Sequence, residues 1–198
     1  MSAPTIEATL ADIARHLVEI GRPFALVGGL AVSFRAEVRF TRDIDLAVAV
    51  RNDADFESLV FTLRSSGYFP VATVEHKQQQ RLSTARLQSP SGFVVDLLAA
   101  SCGIEQEVVE RATVVNLPGV AQIPVARTEE LLAMKILSMS ERRLQDRIDA
   151  RNLLLFGERL DQKAVEDNLH LIIDRGFNRG EDLFGKLRTL LDETRRET

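Results

Sequence analysis

With a single cysteine, Cys102, this chain cannot close an internal disulfide, and its chemistry suits a reducing compartment. Long apolar runs are also missing. None approaches the ~20 residues needed to span a bilayer, and Met1-Ser2-Ala3-Pro4 leads into a charged amphipathic stretch instead of a signal peptide. The expectation is a cytoplasmic protein with no membrane partner. An excess of positive charge is lacking too: 25 Lys and Arg stand against 29 Asp and Glu, a net charge of -4. A nucleic-acid partner would therefore need a local basic patch, because the global field does not supply one. Three histidines, His16, His76 and His170, are scattered and form no metal-ligand set. No Gly-x-x-x-x-Gly-Lys-Ser/Thr run exists, which removes the P-loop reading. There is no internal repeat and no low-complexity tract.

What is present is an ordinary globular balance, 45% hydrophobic and 27% charged over 198 residues. That length suffices for one sizeable domain, or for a core with a small appendage. Ile6, Leu10, Ile13, Leu17 and Ile20 recur at helical spacing, so residues 5–20 read as a helix stopped by Gly21-Arg22-Pro23. Strands are expected at Phe24 to Val27, Ile44 to Val50, Val71 to Glu75, Arg81 to Gln88 and Phe93 to Ala100. Two short ones follow near Val114 and Ile123. Helices are expected from Leu30 to Phe34, from an Asn52-Asp53 cap to Ser66, and from Glu105 to Arg111. From Thr128, a candidate cap, the pattern turns helical: to about Ser140, then Glu141 to Phe156, Gln162 to Arg175 and Glu181 to Arg195. The fold class is therefore α/β (α+β), a mixed β-sheet core over residues 1–126 with flanking helices, and a helical region over 127–198.

Three carboxylates carry the chemical interest. Asp43 and Asp45 sit two apart at the start of a strand, so both project from one face while Ile44 and Leu46 take the other. Like charges held side by side repel and need a cation or basic neighbours. Mg²⁺ would supply that neutralisation through oxygen ligands and bridge to phosphates, with Mn²⁺ as an alternative; Arg39 and Arg42 as salt-bridge partners on a solvated strand end would do it as well. Asp96 interrupts the otherwise apolar Phe93-Val94-Val95-Asp96-Leu97-Leu98. An unpaired carboxylate there is costly, so it calls for a metal or an arginine. If its strand lies beside the Asp43/Asp45 strand, the three converge in an arrangement suited to two metal ions and phosphoryl chemistry. Gly28-Gly29, between a strand and a helix, allows close backbone approach of a phosphate to a helix N-terminus, although a plain turn has the same composition. Lys135, within an apolar helix, reads alone as a stem on the core with its head in water. Asp146 and Asp149 share a helix face and could pair with Arg142, Arg143 or Arg147.

Taken in order, Val27-Gly28-Gly29-Leu30-Ala31-Val32, Arg39-Phe40-Thr41-Arg42-Asp43-Ile44-Asp45-Leu46, Asp96, and Lys135 with Arg143 and Asp146-Arg147-Ile148-Asp149 resemble the AbiEii/MenT group of the DNA polymerase β-like nucleotidyltransferase superfamily. The resemblance covers roughly Phe24 to Leu155. It departs at Ser33 to Val38, where many relatives carry His-Gly, and at Gln145, where a basic residue is usual. It implies a nucleotidyltransferase that moves an NMP from an NTP to an acceptor hydroxyl. Asp43, Asp45 and Asp96 would be metal ligands and catalytic, with Lys135 and Asp146 completing the catalytic set. Gly28, Gly29, Arg39, Thr41 and Lys135 would bind the nucleotide. It further implies a toxin of a toxin–antitoxin or phage-defence system, with tRNA as acceptor and a cognate antitoxin as partner. Arg35, Arg39, Arg42, Arg142, Arg143, Arg147 and Arg151 gather near these motifs and offer a positive stripe for RNA. The competing readings are a protein or aminoglycoside-like acceptor, or a nucleotide-binding module without catalysis.

Overall fold

The computed structural model describes residues 3–116, 122–157 and 160–196. Among them the order is α1 (Ile6–Glu19), β1 (Phe24–Val27), α2 (Gly28–Arg35), β2 (Asp43–Val48), α3 (Asp53–Ser65), β3 (Phe69–His76), β4 (Arg81–Gln88) and β5 (Val94–Leu98). Then come α4 (Glu105–Arg111), β6 (Thr113–Asn116), β7 (Gln122–Val125), α5 (Thr128–Ser138), α6 (Leu144–Phe156), α7 (Gln162–Asp174) and α8 (Leu183–Arg195). The strands form one mixed sheet in the order β3-β4-β5-β2-β1-β7-β6.

The central strands are the most apolar, as burial on both faces requires. All four residues of β1 are buried, and in β2 and β5 the alternation sends Ile44, Leu46, Val95 and Leu97 into the core. β3 is the opposite case, an edge strand exposed along its length except at His76. It carries Pro70 and two register shifts, features that blunt an edge against further pairing. β4 and β5 are joined by the turn Ser89-Pro90-Ser91-Gly92, where Ser89 N–H donates to the Phe93 carbonyl (2.9 Å) and Gly92 N–H to that of Ser89 (3.0 Å). The Ser91 hydroxyl lies 2.6 Å from that of Thr9, fastening this turn to α1.

Helix boundaries follow their caps. The Asn52 side chain accepts from Asp55 N–H and starts α3 as expected. Thr128 does not cap α5: Arg127 is the extended residue before it, and Thr128 is the first, buried residue of the helix. α6 starts at Leu144, three residues later than the pattern suggested, because Ser140 to Arg143 form a turn closed by Arg143 N–H on the Ser140 carbonyl. The apolar faces of α5 to α8 join the same hydrophobic cluster as the sheet, through residues such as Leu132, Ile136, Leu153, Leu169 and Leu190.

Glu105, at the start of α4 and buried, organises the turn that precedes it. Its carboxylate accepts from the backbone N–H of Ser101 (2.5 Å), Cys102 (2.7 Å) and Gly103 (2.9 Å), and from the Ser101 hydroxyl (2.7 Å). Burial, with the Glu105 charge adding to it, raises the Cys102 thiol well above its ordinary pKa and keeps it protonated. Glu105→Ala orphans three backbone donors at once and should cost about 3 kcal/mol, read as a lower urea midpoint with an unchanged m-value.

Candidate functional site

β2 and β5 pair in parallel with Asp45 directly opposite Asp96 and Asp43 opposite Val94. The condition set by the sequence is therefore met: the three carboxylates share one face of adjacent strands. Asp45 is half-buried and Asp96 is 8% exposed. The Asp45 carboxyl is pushed up to about 6, first by desolvation and then by the charges of Asp96 and Asp43. Lys135 and a hydrogen bond from the Gly29 N–H pull the other way without cancelling the shift.

Both glycines are dictated by what lies against them. Gly28, at φ +65°, faces Asp45 so closely that a β-carbon would fall 1.9 Å from its Oδ2. At Gly29 a β-carbon would meet Arg39 Nη2 at 2.2 Å and Thr41 Oγ1 at 3.0 Å. The turn from β1 into α2 is thus pressed against the carboxylates on one side and against Arg39 and Thr41 on the other. This is close packing of backbone against functional groups, a role only glycine fills.

Arg86 is the residue that sequence reasoning missed. It is the antiparallel partner of Asp96 and binds it with two donors, Nε to Oδ1 at 2.9 Å and Nη2 to Oδ2 at 2.7 Å, while Nη2 stands 3.9 Å from Asp43. The guanidinium is held firmly charged by Asp96. The arginine-paired alternative for Asp96 is therefore realised in this conformation. Among the described residues no three metal-ligating side chains are gathered closely enough to chelate one ion as they stand. The donor set nonetheless suits a hard divalent cation: three carboxylates, oxygen ligands only, and a net repulsion that raises Asp45. Arg86 would have to yield Asp96.

Lys135 does not hold its head in water, as its helix taken alone suggested. It is 9% exposed, and its ammonium lies 2.7 Å from Asp146 Oδ1 and 2.7 Å from Asp149 Oδ2. Asp149, fully buried, also receives Arg39 (Nη2 to Oδ2, 3.0 Å) and Gln145 (Nε2 to Oδ1, 2.9 Å). Asp146 in turn meets Arg143 Nε at 3.0 Å. This network ties α5 and α6 to the segment that carries Thr41 and the aspartates.

The arginine stripe is largely consumed. Arg35 donates to the carbonyls of Ala126 and Val125, Arg39 serves Asp149, and Arg147 pairs with Glu193. Arg42 sits over the Phe40 ring at 5.6 Å. Of the seven, Arg39 and Arg143 line the clefts beside the aspartates. One cleft, ≈ 350 Å³, holds Gly29, Arg39, Thr41, Asp43, Lys135 and Asp146. Another, ≈ 330 Å³, lies beyond Asp45 and Asp96 toward Ser83, Ser101 and Arg179. A larger cavity of ≈ 500 Å³ between α6 and α8 contains none of the three aspartates.

Comparison with known proteins identifies a family and a shared fold. The family described as nucleotidyl transferase AbiEii toxin, type IV TA system, matches residues 12–169. No curated protein matches significantly. Among solved structures, an antigenic nucleotidyltransferase-like protein from Paracoccidioides brasiliensis is similar at 18% identity and TM-score 0.50, with 86% of this chain and 88% of that one covered. The lincomycin-bound lincosamide antibiotic adenylyltransferase LnuA is similar at 19% identity and TM-score 0.51, covering 76% and 97%. The resistance factor ANT(2")-Ia, in complex with adenylyl-2"-tobramycin, is similar at 12% identity and TM-score 0.51, covering 86% and 99%. At these identities the three establish a shared fold.

Two predictions arise here. Because the Asp45 carboxyl titrates near 6 when folded and near 4 when unfolded, its ionisation destabilises the fold as pH rises through that window. In metal-free buffer, Asp45→Asn should match wild type near pH 4 and exceed it by about 1–3 kcal/mol at pH 7.5, measured by thermal unfolding. Lys135→Ala, which removes the cation shared by two buried carboxylates and leaves Asp146 to Arg143 and Asp149 to Arg39, should lower stability by about 3 kcal/mol at pH 7.5.

Proposed function

We propose that this nucleotidyltransferase, which belongs to the nucleotidyl transferase AbiEii toxin family, transfers an NMP from an Mg²⁺-bound NTP to a hydroxyl at the 3′ end of tRNA. The single observation behind this reading is the parallel register that sets Asp45 opposite Asp96 with Asp43 on the same face. Asp43, Asp45 and Asp96 would hold the Mg²⁺. When bound, the ion supplies charge neutralisation and Lewis-acid polarisation of the phosphates.

The remaining roles belong to the chain itself. The Gly28-Gly29 turn opens α2, so backbone N–H groups and the positive end of the helix face the place where phosphates would lie. An ammonium has three donors, and the two that Asp146 and Asp149 engage leave Lys135 one for a phosphate oxygen. Those two aspartates are positioning residues: they aim Lys135 and hold its charge. Arg39 and Thr41 close the cleft over Gly29. The acceptor oxygen attacks the α-phosphorus, the bond from that phosphorus to the bridging oxygen of the β-phosphate breaks, and pyrophosphate leaves. The proton of the acceptor hydroxyl passes to an oxygen of Asp96 that Arg86 has released. In its family setting the chain would serve as the toxin of a toxin–antitoxin pair, restrained by a cognate antitoxin.

The test is to incubate the purified protein with Mg²⁺ and each α-³²P-labelled NTP, supplying total tRNA and whole-cell protein as acceptors. Label is expected on tRNA with one preferred nucleotide, and none in Asp43→Asn or Asp45→Asn. Label confined to protein bands would overturn the tRNA reading. Label on neither, with transfer to a lincosamide or an aminoglycoside, would favour the small-molecule chemistry of the structural neighbours.

A further inference from the structure

Two clefts meet at the same carboxylates. Asp45, Asp96 and Arg143 line both of them. The cleft with Gly29, Lys135, Arg39 and Thr41 carries the features suited to a triphosphate. In-line displacement requires the attacking oxygen to approach from the side opposite the leaving pyrophosphate. The second cleft, on the far side of Asp45 and Asp96, is where that oxygen would enter.

Its lining is specific. Ser83, Thr84 and Ser101 offer hydroxyls, Leu98, Met134 and Leu137 an apolar floor, and Arg179 a guanidinium. At ≈ 330 Å³ it lies at the small end of ligand clefts, a volume for one nucleotide-sized group. The hydrogen bond Arg179 makes among the described residues is Nη2 to the Ser101 carbonyl at 3.0 Å, and no carboxylate lies within salt-bridge distance of it there. A guanidinium with no carboxylate paired to it in a cleft suits an oxyanion such as phosphate.

The backbone holds this arginine in place against its own preference. Arg179 has φ +56°, and with Gln80 at φ +49° it is one of two non-glycine residues in the left-handed region among the described residues. The two lie on either side of one contact, between the α7–α8 loop and the β3–β4 turn. The Gln79 amide donates to the carbonyls of Arg175 (3.0 Å) and Gly176 (3.3 Å), the Phe177 ring packs on His76 at 4.6 Å between centroids, and Arg175 holds Glu107 at 2.6 and 2.9 Å. Strain retained in an over-determined loop at a site is an expected mark of function. Arg179 also lies beyond residues 12–169, the part shared with the family.

We propose that the cleft of Ser83, Ser101 and Arg179 is the acceptor subsite and that Arg179 binds the phosphate next to the acceptor hydroxyl. The acceptor class is then a terminal ribonucleotide carried on a phosphodiester. This rests on the nucleotidyl-transfer reading above and deepens it.

The test is a calorimetric titration of the full chain, saturated with Mg²⁺ and a non-hydrolysable NTP analogue, with a 5′-phosphorylated RNA trinucleotide. Arg179→Gln keeps a donor for the Ser101 carbonyl but loses the charge, and should weaken RNA binding about tenfold. Arg179→Lys should recover most of that loss, and affinity for the analogue should stay within about twofold in both variants. Unchanged RNA affinity in Arg179→Gln, no binding by wild type, or a parallel loss of analogue affinity would overturn the proposal; the last would place the donor nucleoside in this cleft. RNA binding that depends on Arg179 in a protein that labels no RNA would count against the transfer reading and leave the subsite standing.

Discussion

Everything around the candidate site answers one repulsion, that between Asp45 and Asp96 held opposite each other on parallel strands. Backbone pairing fixes their separation, so the charges cannot relax by moving apart. Three local responses are visible. Arg86 takes both oxygens of Asp96, the Gly29 N–H donates to Asp45, and Lys135 lends a distant positive charge. They do not fully offset the repulsion, as the raised Asp45 carboxyl records. A site that keeps unneutralised negative charge in partial burial is set to gain from a cation, and stability is the quantity it gives up.

Around this centre sits a second electrostatic system with the opposite design. Asp149 is fully buried yet receives Lys135, Arg39 and Gln145, so its charge is satisfied by three elements at once. Buried pairs of this kind add little net stability over an apolar core, but breaking them is costly, which makes them good at fixing geometry. Here they fix the α5–α6 pair relative to the loop before β2. The helices after residue 126 are thereby joined to the sheet by charge as well as by the shared apolar cluster.

Much of this was legible in the sequence, for reasons that differ by residue. Asp43 and Asp45 declared a shared face by their spacing, and Asp96 stood out because it broke an apolar strand. Gly28-Gly29 marked the turn, although only the structure shows that Asp45 and Arg39 are what forbid a side chain there. Arg86 could have been found. The short turn after Gln88 makes antiparallel partners of β4 and β5 sum to a constant, and that arithmetic puts Arg86 against Asp96. Lys135 read from its own helix as a stem with its head in water and only from the resemblance as a site residue, because an isolated helix cannot show that two carboxylates from the next helix fold over its head. The arginine stripe is thinned for a related reason: proximity in sequence said nothing of Arg35 reaching the carbonyls of Val125 and Ala126, or of Glu193 meeting Arg147. Arg179 was invisible, since its place in the cleft with Asp96 depends on packing between segments 78 residues apart.

The turn Ser89-Pro90-Ser91-Gly92 is remote in character from catalysis, a polar surface corner fastened to α1 by Thr9. Its length nevertheless sets which residue of β4 stands opposite Asp96. Strand side chains alternate faces, so one residue gained or lost in this corner, with the pairing re-formed around it, would present Ala85 or Leu87 to Asp96 and turn Arg86 to the apolar side. An insertion or deletion in this corner would then act as an active-site lesion. The number of residues in this corner is therefore as much a condition of the site as the identity of Arg86.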